Sequence, residues 1–361
     1  MVEPVRYAPG QPGLPLRWTS SAKSGLGTSL SANSRVWFTI GRGILNEIYY
    51  PNLDQTTVRD AGFLVTDANS FFSEEQKDTH CQLSQVADGV PGYRLVNTCA
   101  QGRYRILKEI LCDPVRSVIL QQVHFLPLQK SLSDYHLFAL LAPHLNNRSG
   151  DNTAFLDTYK GLKMLFAERE NDALAFGCSV PFKQCSVGFI GYSDGWRDVH
   201  DHKLITGSYN RAENGNVALV AEIDLSNCDG IFLLAIGFGR RYSEAAFHVR
   251  ASLLDGFKSA KAHYVQEWRT WQNGLLLLGM PEHENSRLPS ISAAVIRTHA
   301  TKEPAGGLIS SISIPWGLTK DEDDLGGYHL VWPRDIAEAA GALLAIGAQK
   351  DAGEIIAYLH S

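Results

Sequence analysis

The feature that most constrains this chain is a change of hydrophobic period near residue 243. Upstream, from about Arg35 to Phe238, short runs rich in Val, Ile, Leu, Tyr and Phe are separated by clusters of Gly, Asn, Asp and Pro, the pattern of strands and their turns. The runs include Arg35 to Ile40, Tyr104 to Cys112, Ser117 to Phe125, Tyr135 to Ala142, Gly161 to Ala167, Val217 to Ile223 and Ile231 to Phe238. In the sixth, Val217, Leu219, Ala221 and Ile223 take alternate positions and so share one strand face. Strands this numerous, with no helical period between them, predict an antiparallel sandwich rather than a doubly wound sheet.

From Ser243 to Gln272 the spacing becomes helical. Phe247, Leu254, Phe257, Tyr264, Trp268 and Trp271 recur at steps of three, four and seven, which predicts one long connecting helix with a single apolar stripe. Ser290 is placed to cap a second helix with Ile291, Ala294, Val295 and Thr298 on one side, and Pro304 to Gly307 to end it. A long irregular stretch is expected up to Val331. Pro333 suits the first turn of a helix whose core face is Ile336, Ala339, Ala340, Leu343 and Leu344, and Gly347 closes it. Ala352, Ile355, Ile356 and Leu359 begin another helical face. The expected organisation is a β domain over 1–242, a linker helix over 243–274 and the start of a helical domain over 275–361. A few short helices rarely stand without packing partners, so the last part is expected to be truncated, to lean on the sandwich or to pair with another chain.

Composition narrows the function classes. With 361 residues, 44% of them hydrophobic, the chain holds material for more than one core. A formal charge of -5 without any Lys/Arg run argues against a nucleic-acid partner. The longest apolar stretches, Leu137 to Pro143 and Ile231 to Phe238, are too short to cross a bilayer as helices. Met1 to Pro15 lacks the basic and apolar regions of a secretory signal, so a cytoplasmic protein without membrane partners is expected, export staying open. The six cysteines include no CxxC pair and are expected to be buried free thiols.

Several chemical signals are weak. Gly41-Arg42-Gly43 and Gly237-Phe238-Gly239 lack a full phosphate-binding fingerprint and are expected to serve turns or bulges. His200 and His202, with Asp198, would line up as metal ligands on an extended segment, but surface residues on a loop are the preferred reading. The run Asp321 to Asp324 is read as a solvated face ahead of a calcium loop, and no cofactor is expected.

The segment Gly326 to Asp335 differs in kind. A hexose offers apolar C–H faces bordered by hydroxyls, and its receptor needs aromatic surface with directed charged hydrogen bonds. Tyr328 and Trp332 offer that surface, Arg334 a planar donor fork, and Asp335 an acceptor. Equally, Pro333 can start a helix, Asp335 can complement its dipole and the aromatics can be core. Spacing alone leaves these two readings level.

The string Tyr328-His329-Leu330-Val331-Trp332-Pro333-Arg334-Asp335, preceded by Leu308 to Gly317, resembles the start of the catalytic domain in the glucoamylase and glucodextranase family, glycoside hydrolase family 15. Ala142 to Asn147, Ser193 to Asp198, Asn210 to Leu219 and Gly237 to Arg240 resemble segments of the N-terminal domain of its prokaryotic members. The resemblance implies a mainly β plus α architecture: a β-supersandwich of the galactose-mutarotase-like type followed by the first helices of a truncated (α/α)6 barrel. It implies release of glucose from non-reducing ends of α-glucans with inversion, Arg334 and Asp335 holding the terminal glucose between the walls Tyr328 and Trp332. Inversion needs two carboxyl groups roughly 6.5–9.5 Å apart. In the family both are glutamates well downstream of this segment, so they are expected beyond Ser361 and the chain alone is expected to be inactive. The alternatives are a non-catalytic carbohydrate-binding protein of the same descent and a glycoside phosphorylase.

Overall fold

A computed structural model describes residues 4–276 and 288–361. Two large antiparallel sheets face each other. The first runs in the order Gly25–Thr28, Trp37–Gly41, Ile44–Tyr49, Thr56–Thr66, His136–Pro143, Val217–Ile223 and Phe182–Phe189, with Phe72–Glu74 as an extra edge partner of Thr56–Thr66. The second runs Arg211–Gly215, Asn152–Tyr159, Leu162–Arg169, Asp172–Cys178, Ile231–Gly239, Val118–Pro127, Tyr104–Cys112, Tyr93–Cys99 and Thr79–Gln85. Val217, Leu219, Ala221 and Ile223 do share a face, and all four lie in the core between the sheets with Leu137, Ala139 and Leu141 of the neighbouring strand. Their alternates are buried as well, because the short helix Gly195–His202 covers part of the outer face through Val199, with Val220 and Phe138 beneath it.

The glycine pairs take ordinary structural roles. Arg42 and Gly43 form a two-residue hairpin loop, both at positive φ, the backbone such tight loops demand. Gly237 is neither turn nor bulge but lies within a strand, where a Cβ would come 2.9 Å from the Ala245 carbonyl of the covering helix.

The stripe expected as one helix is two, α1 (Tyr242–Asp255) and α2 (Phe257–Asn273), broken at Gly256 with φ +78°. The break changes which residues are core. In α1 the buried face is Ala245, Ala246, Val249 and Ser252, small enough to lie close on the sheet, while Phe247 and Leu254 are exposed. In α2 Phe257, Tyr264 and Trp268 are buried as expected, and both polar tips are satisfied: Tyr264 Oη donates to the Thr28 carbonyl at 2.9 Å and Trp268 Nε1 to the same oxygen at 3.0 Å.

Helix α3 (Leu288–Thr298) begins before Ser290, which is therefore inside it rather than its cap. The helix ends at Thr298, and a small hairpin, Ala300–Lys302 with Ala305–Leu308, takes the place of the helix end expected at Pro304 to Gly307. Then come α4 (Pro333–Ala345) and α5 (Gln349–Leu359), packed on each other through Ile336, Leu343, Ala352 and Ile355. Leu344, Ile356 and Leu359, expected in their core faces, are exposed. No helix among the described residues is long and apolar enough to cross a membrane. Four of the six cysteines are buried, but Cys81 is exposed and Cys228 half-buried, against expectation; Cys81 lies on Thr79–Gln85, the outermost strand of its sheet.

Candidate functional site

The segment between the small hairpin and α4 is held against the sandwich by two buried isoleucines. Ile309 and Ile312 pack with Trp37, Tyr49 and Leu53 of the first sheet. Tyr49 Oη donates to the Ile312 carbonyl at 2.7 Å inside this contact, and burial pushes its hydroxyl well above the usual phenol range. The backbone nitrogens of Ser310 and Ser311 donate to the carbonyls of Leu330 and Tyr328, at 3.3 and 3.0 Å. That zipper turns His329 inward, where its ring lies 5.4 Å from that of Tyr49, and leaves Tyr328 and Leu330 facing out. Burial lowers His329 to about 4, so the imidazole is neutral near pH 7.

The sequence-predicted residues follow directly. Gly326 and Gly327 both have φ +71°, the left-handed backbone that glycine adopts without strain. The turn they make aims the Gly327 carbonyl at Trp332, whose Nε1 donates to it at 2.9 Å. Trp332 is the N-cap of α4, Pro333 its first residue and Asp335 the carboxylate of its first turn, where it complements the helix dipole. Arg334 Nε lies 3.5 Å from Asp335 Oδ1, with the Arg334 side chain 84% exposed. The structural roles weighed for Pro333 and Asp335 are therefore realised, but the aromatics are not core: Tyr328 and Trp332 are 43% and 51% exposed. The fold ties Trp332 to the glycine turn and Arg334 to Asp335; among the described residues no hydrogen bond links the aromatic pair to the ionic pair.

Trp316 is a further exposed aromatic on the segment before them and was given no role by sequence reasoning. It is 70% exposed and holds φ +54°, an uncommon conformation for a bulky residue. Gly317 explains why: a Cβ there would come 2.3 Å from the Thr19 carbonyl, so the chain is pressed against the sandwich and the preceding side chain is turned outward. The sequence signal was the Pro315-Trp316-Gly317 triplet.

Other candidates resolve into scaffolding. His200 and His202 lie on the helix Gly195–His202, on neither a strand nor a loop. Asp198 accepts from the backbone nitrogens of Thr206 and Gly207 and pairs with His202 Nδ1 at 2.9 Å, so it fastens a loop. The acidic run is only partly a solvated face. Glu322 accepts from Ser149 N and Oγ at 2.7 and 2.5 Å, and Asp323 pairs with Arg148, because the loop after His136–Pro143 reaches across to meet it. Among the described residues no group of three or more His, Cys, Asp and Glu is arranged to hold a metal ion.

The fold is shared with known proteins. Residues 8–273 match the family model described as glucodextranase, domain N. A glucoamylase of Clostridium sp. (strain G0005) is 35% identical over 351 residues, covering 96% of this chain and 49% of the relative. The crystal structure of a bacterial glucoamylase complexed with acarbose superimposes with a TM-score of 0.92 at 34% identity, covering 98% of this chain and 52% of that one. The chain thus spans about half the length of the relatives it matches.

Proposed function

The chain belongs to the glucoamylase and glucodextranase family, and from that membership we propose that it is the N-terminal portion of an exo-acting, inverting α-glucosidase that releases glucose from non-reducing ends of α-glucans. The domain division proposed is a sandwich over 1–242, connecting helices over 243–274 and the opening of an (α/α)6 catalytic domain over 275–361. Arg334 and Asp335 grip the hydroxyls of the terminal glucose, and Tyr328 and Trp332 wall it in. The observation that carries this reading is the exposure of two aromatic side chains beside an Arg and Asp pair at one helix start, on a segment braced by buried Ile309, Ile312 and His329. Exposed aromatic surface next to a guanidinium fork matches a pyranose, which needs a flat apolar contact and several directed hydrogen bonds at once.

An inverting mechanism places an acid and a base on opposite sides of the scissile bond. The proposed cluster holds one carboxylate, so the reading assigns both catalytic glutamates to sequence outside this chain and gives the chain alone no hydrolytic activity. In a full-length version, Arg334→Ala and Asp335→Asn should each lower kcat/KM on maltooligosaccharides by about 10- to 100-fold, the weight of one charged hydrogen bond of ~1.5–3 kcal/mol. Unchanged kinetics would remove the gripping role, and glucose release by the 361-residue chain at the full-length rate would remove the division of the site.

A further inference from the structure

A groove lies on the outer face of the first sheet, on the sandwich itself. Gly62, Ala142 and Ala218 are on three successive strands there and hollow the floor. The resulting groove holds about 820 Å³, within the range of ligand pockets. Leu14 and Leu16 of the N-terminal segment, Trp196 and Arg197 of the helix Gly195–His202, and Leu318 of the loop that carries Trp316 also line it.

Six of the eight charged residues along its walls come in matched pairs, and the other two, Arg42 and Asp194, are of opposite sign. Arg59 pairs with Asp60, Lys77 Nζ lies 2.8 Å from Glu74, and Arg197 Nε lies 4.0 Å from Asp201. Such a lining offers donors and acceptors side by side but no net field, so it suits a neutral hydroxyl-rich ligand and gives a phosphate or a cation nothing to prefer. Trp196 adds an aromatic wall, anchored by its Nε1 on Glu74 at 2.8 Å and by stacking on His200. Asn46 also lines the groove, is 2% exposed, and its amide nitrogen has no hydrogen-bond partner. Unpaired buried donors are uncommon.

We propose that this groove binds a segment of α-glucan, separately from the cluster at the start of α4. The inference takes from the proposed function only the chemistry of the bound chain. Its test is calorimetric titration of maltoheptaose into the 361-residue chain carrying Trp332→Ala and Arg334→Ala, which removes the α4 cluster. Saturable binding is expected to persist, and Arg197→Ala and Asp60→Asn on that background should each weaken it about tenfold. Arg197 is an exposed surface residue, so its loss does not threaten the fold, and unchanged thermal unfolding confirms that. No saturable binding by the cluster-deleted chain, or binding that neither groove variant alters, overturns the proposal. Binding lost only with Trp332 and Arg334 would leave the terminal-glucose reading intact and sink this one.

Discussion

At the scale of single residues, the site rests on buried partners that no sugar touches. Tyr49 joins sandwich to segment inside an apolar contact, donating to the Ile312 carbonyl at 2.7 Å and lying 3.4 Å from His329 Nε2. Removing its hydroxyl leaves the Ile312 carbonyl without its donor, which costs about 1–3 kcal/mol. Tyr49→Phe is therefore expected to lower the urea midpoint with little change in slope, and because Ile312 is zipped beside Tyr328, it should also raise hydrogen exchange across 308–331. The same scale shows why Arg334 and Asp335 could not be assigned from spacing. A carboxylate in a helix's first turn is stabilising whether or not a ligand arrives, so the motif satisfies two purposes with one set of atoms.

At the scale of elements, contact distance decided which face of a helix is core. The sequence stripe that ran through Phe247 and Leu254 was a reasonable helical face, yet α1 buries Ala245, Ala246 and Val249 instead. Gly177 and Gly237 on the strands below are the reason, since Val249 approaches both. Gly237→Ala would set a Cβ 2.7 Å from Val249 Cγ2 and 2.9 Å from the Ala245 carbonyl, and a strand and helix both fixed by their neighbours have little room to give. The expected loss is about 1–3 kcal/mol, the usual effect of overpacking, read as a lower melting temperature. Gly341 in α4 is the contrasting case, with nothing within 4 Å of its Cβ position. Gly341→Ala should stabilise by about 0.5–1 kcal/mol through lower backbone entropy in the unfolded chain, and the two melting curves should move in opposite directions.

At the scale of the whole molecule, two buried histidines couple stability to acid. Burial lowers His144 to about 3 and His329 to about 4, from an ordinary value of 6.5. His144 lies against Trp18 inside the sandwich, while His329 lies between the sandwich and the helical segment. Because both folded values lie below the unfolded value, the unfolded chain binds more protons between them. The stabilisation is thus fully present above pH 6.5 and is lost as pH falls toward 4. Each should contribute a loss of about 2 kcal/mol between pH 7 and pH 5. Urea titrations at the two pH values should show this fall, and His329→Asn should reduce it by about 2 kcal/mol, the share of that one group; an unaltered dependence would show that His329 is already hydrated.

By itself the sequence determined the class of the fold and the order of its parts. Period two up to Phe238 and helical spacing after it follow from which residues each backbone can bury, and they needed no knowledge of partners. It also marked the string from Tyr328 to Asp335, because aromatic, guanidinium and carboxylate groups in one short segment are chemically conspicuous. What only the tertiary structure decided was which of these groups face solvent. The outward turn of Trp316, the inward turn of His329 and the groove over Gly62, Ala142 and Ala218 all depend on strands and loops distant in sequence meeting at fixed distances. Local periodicity carries no record of those distances, since close packing is a property of pairs of elements and not of either one.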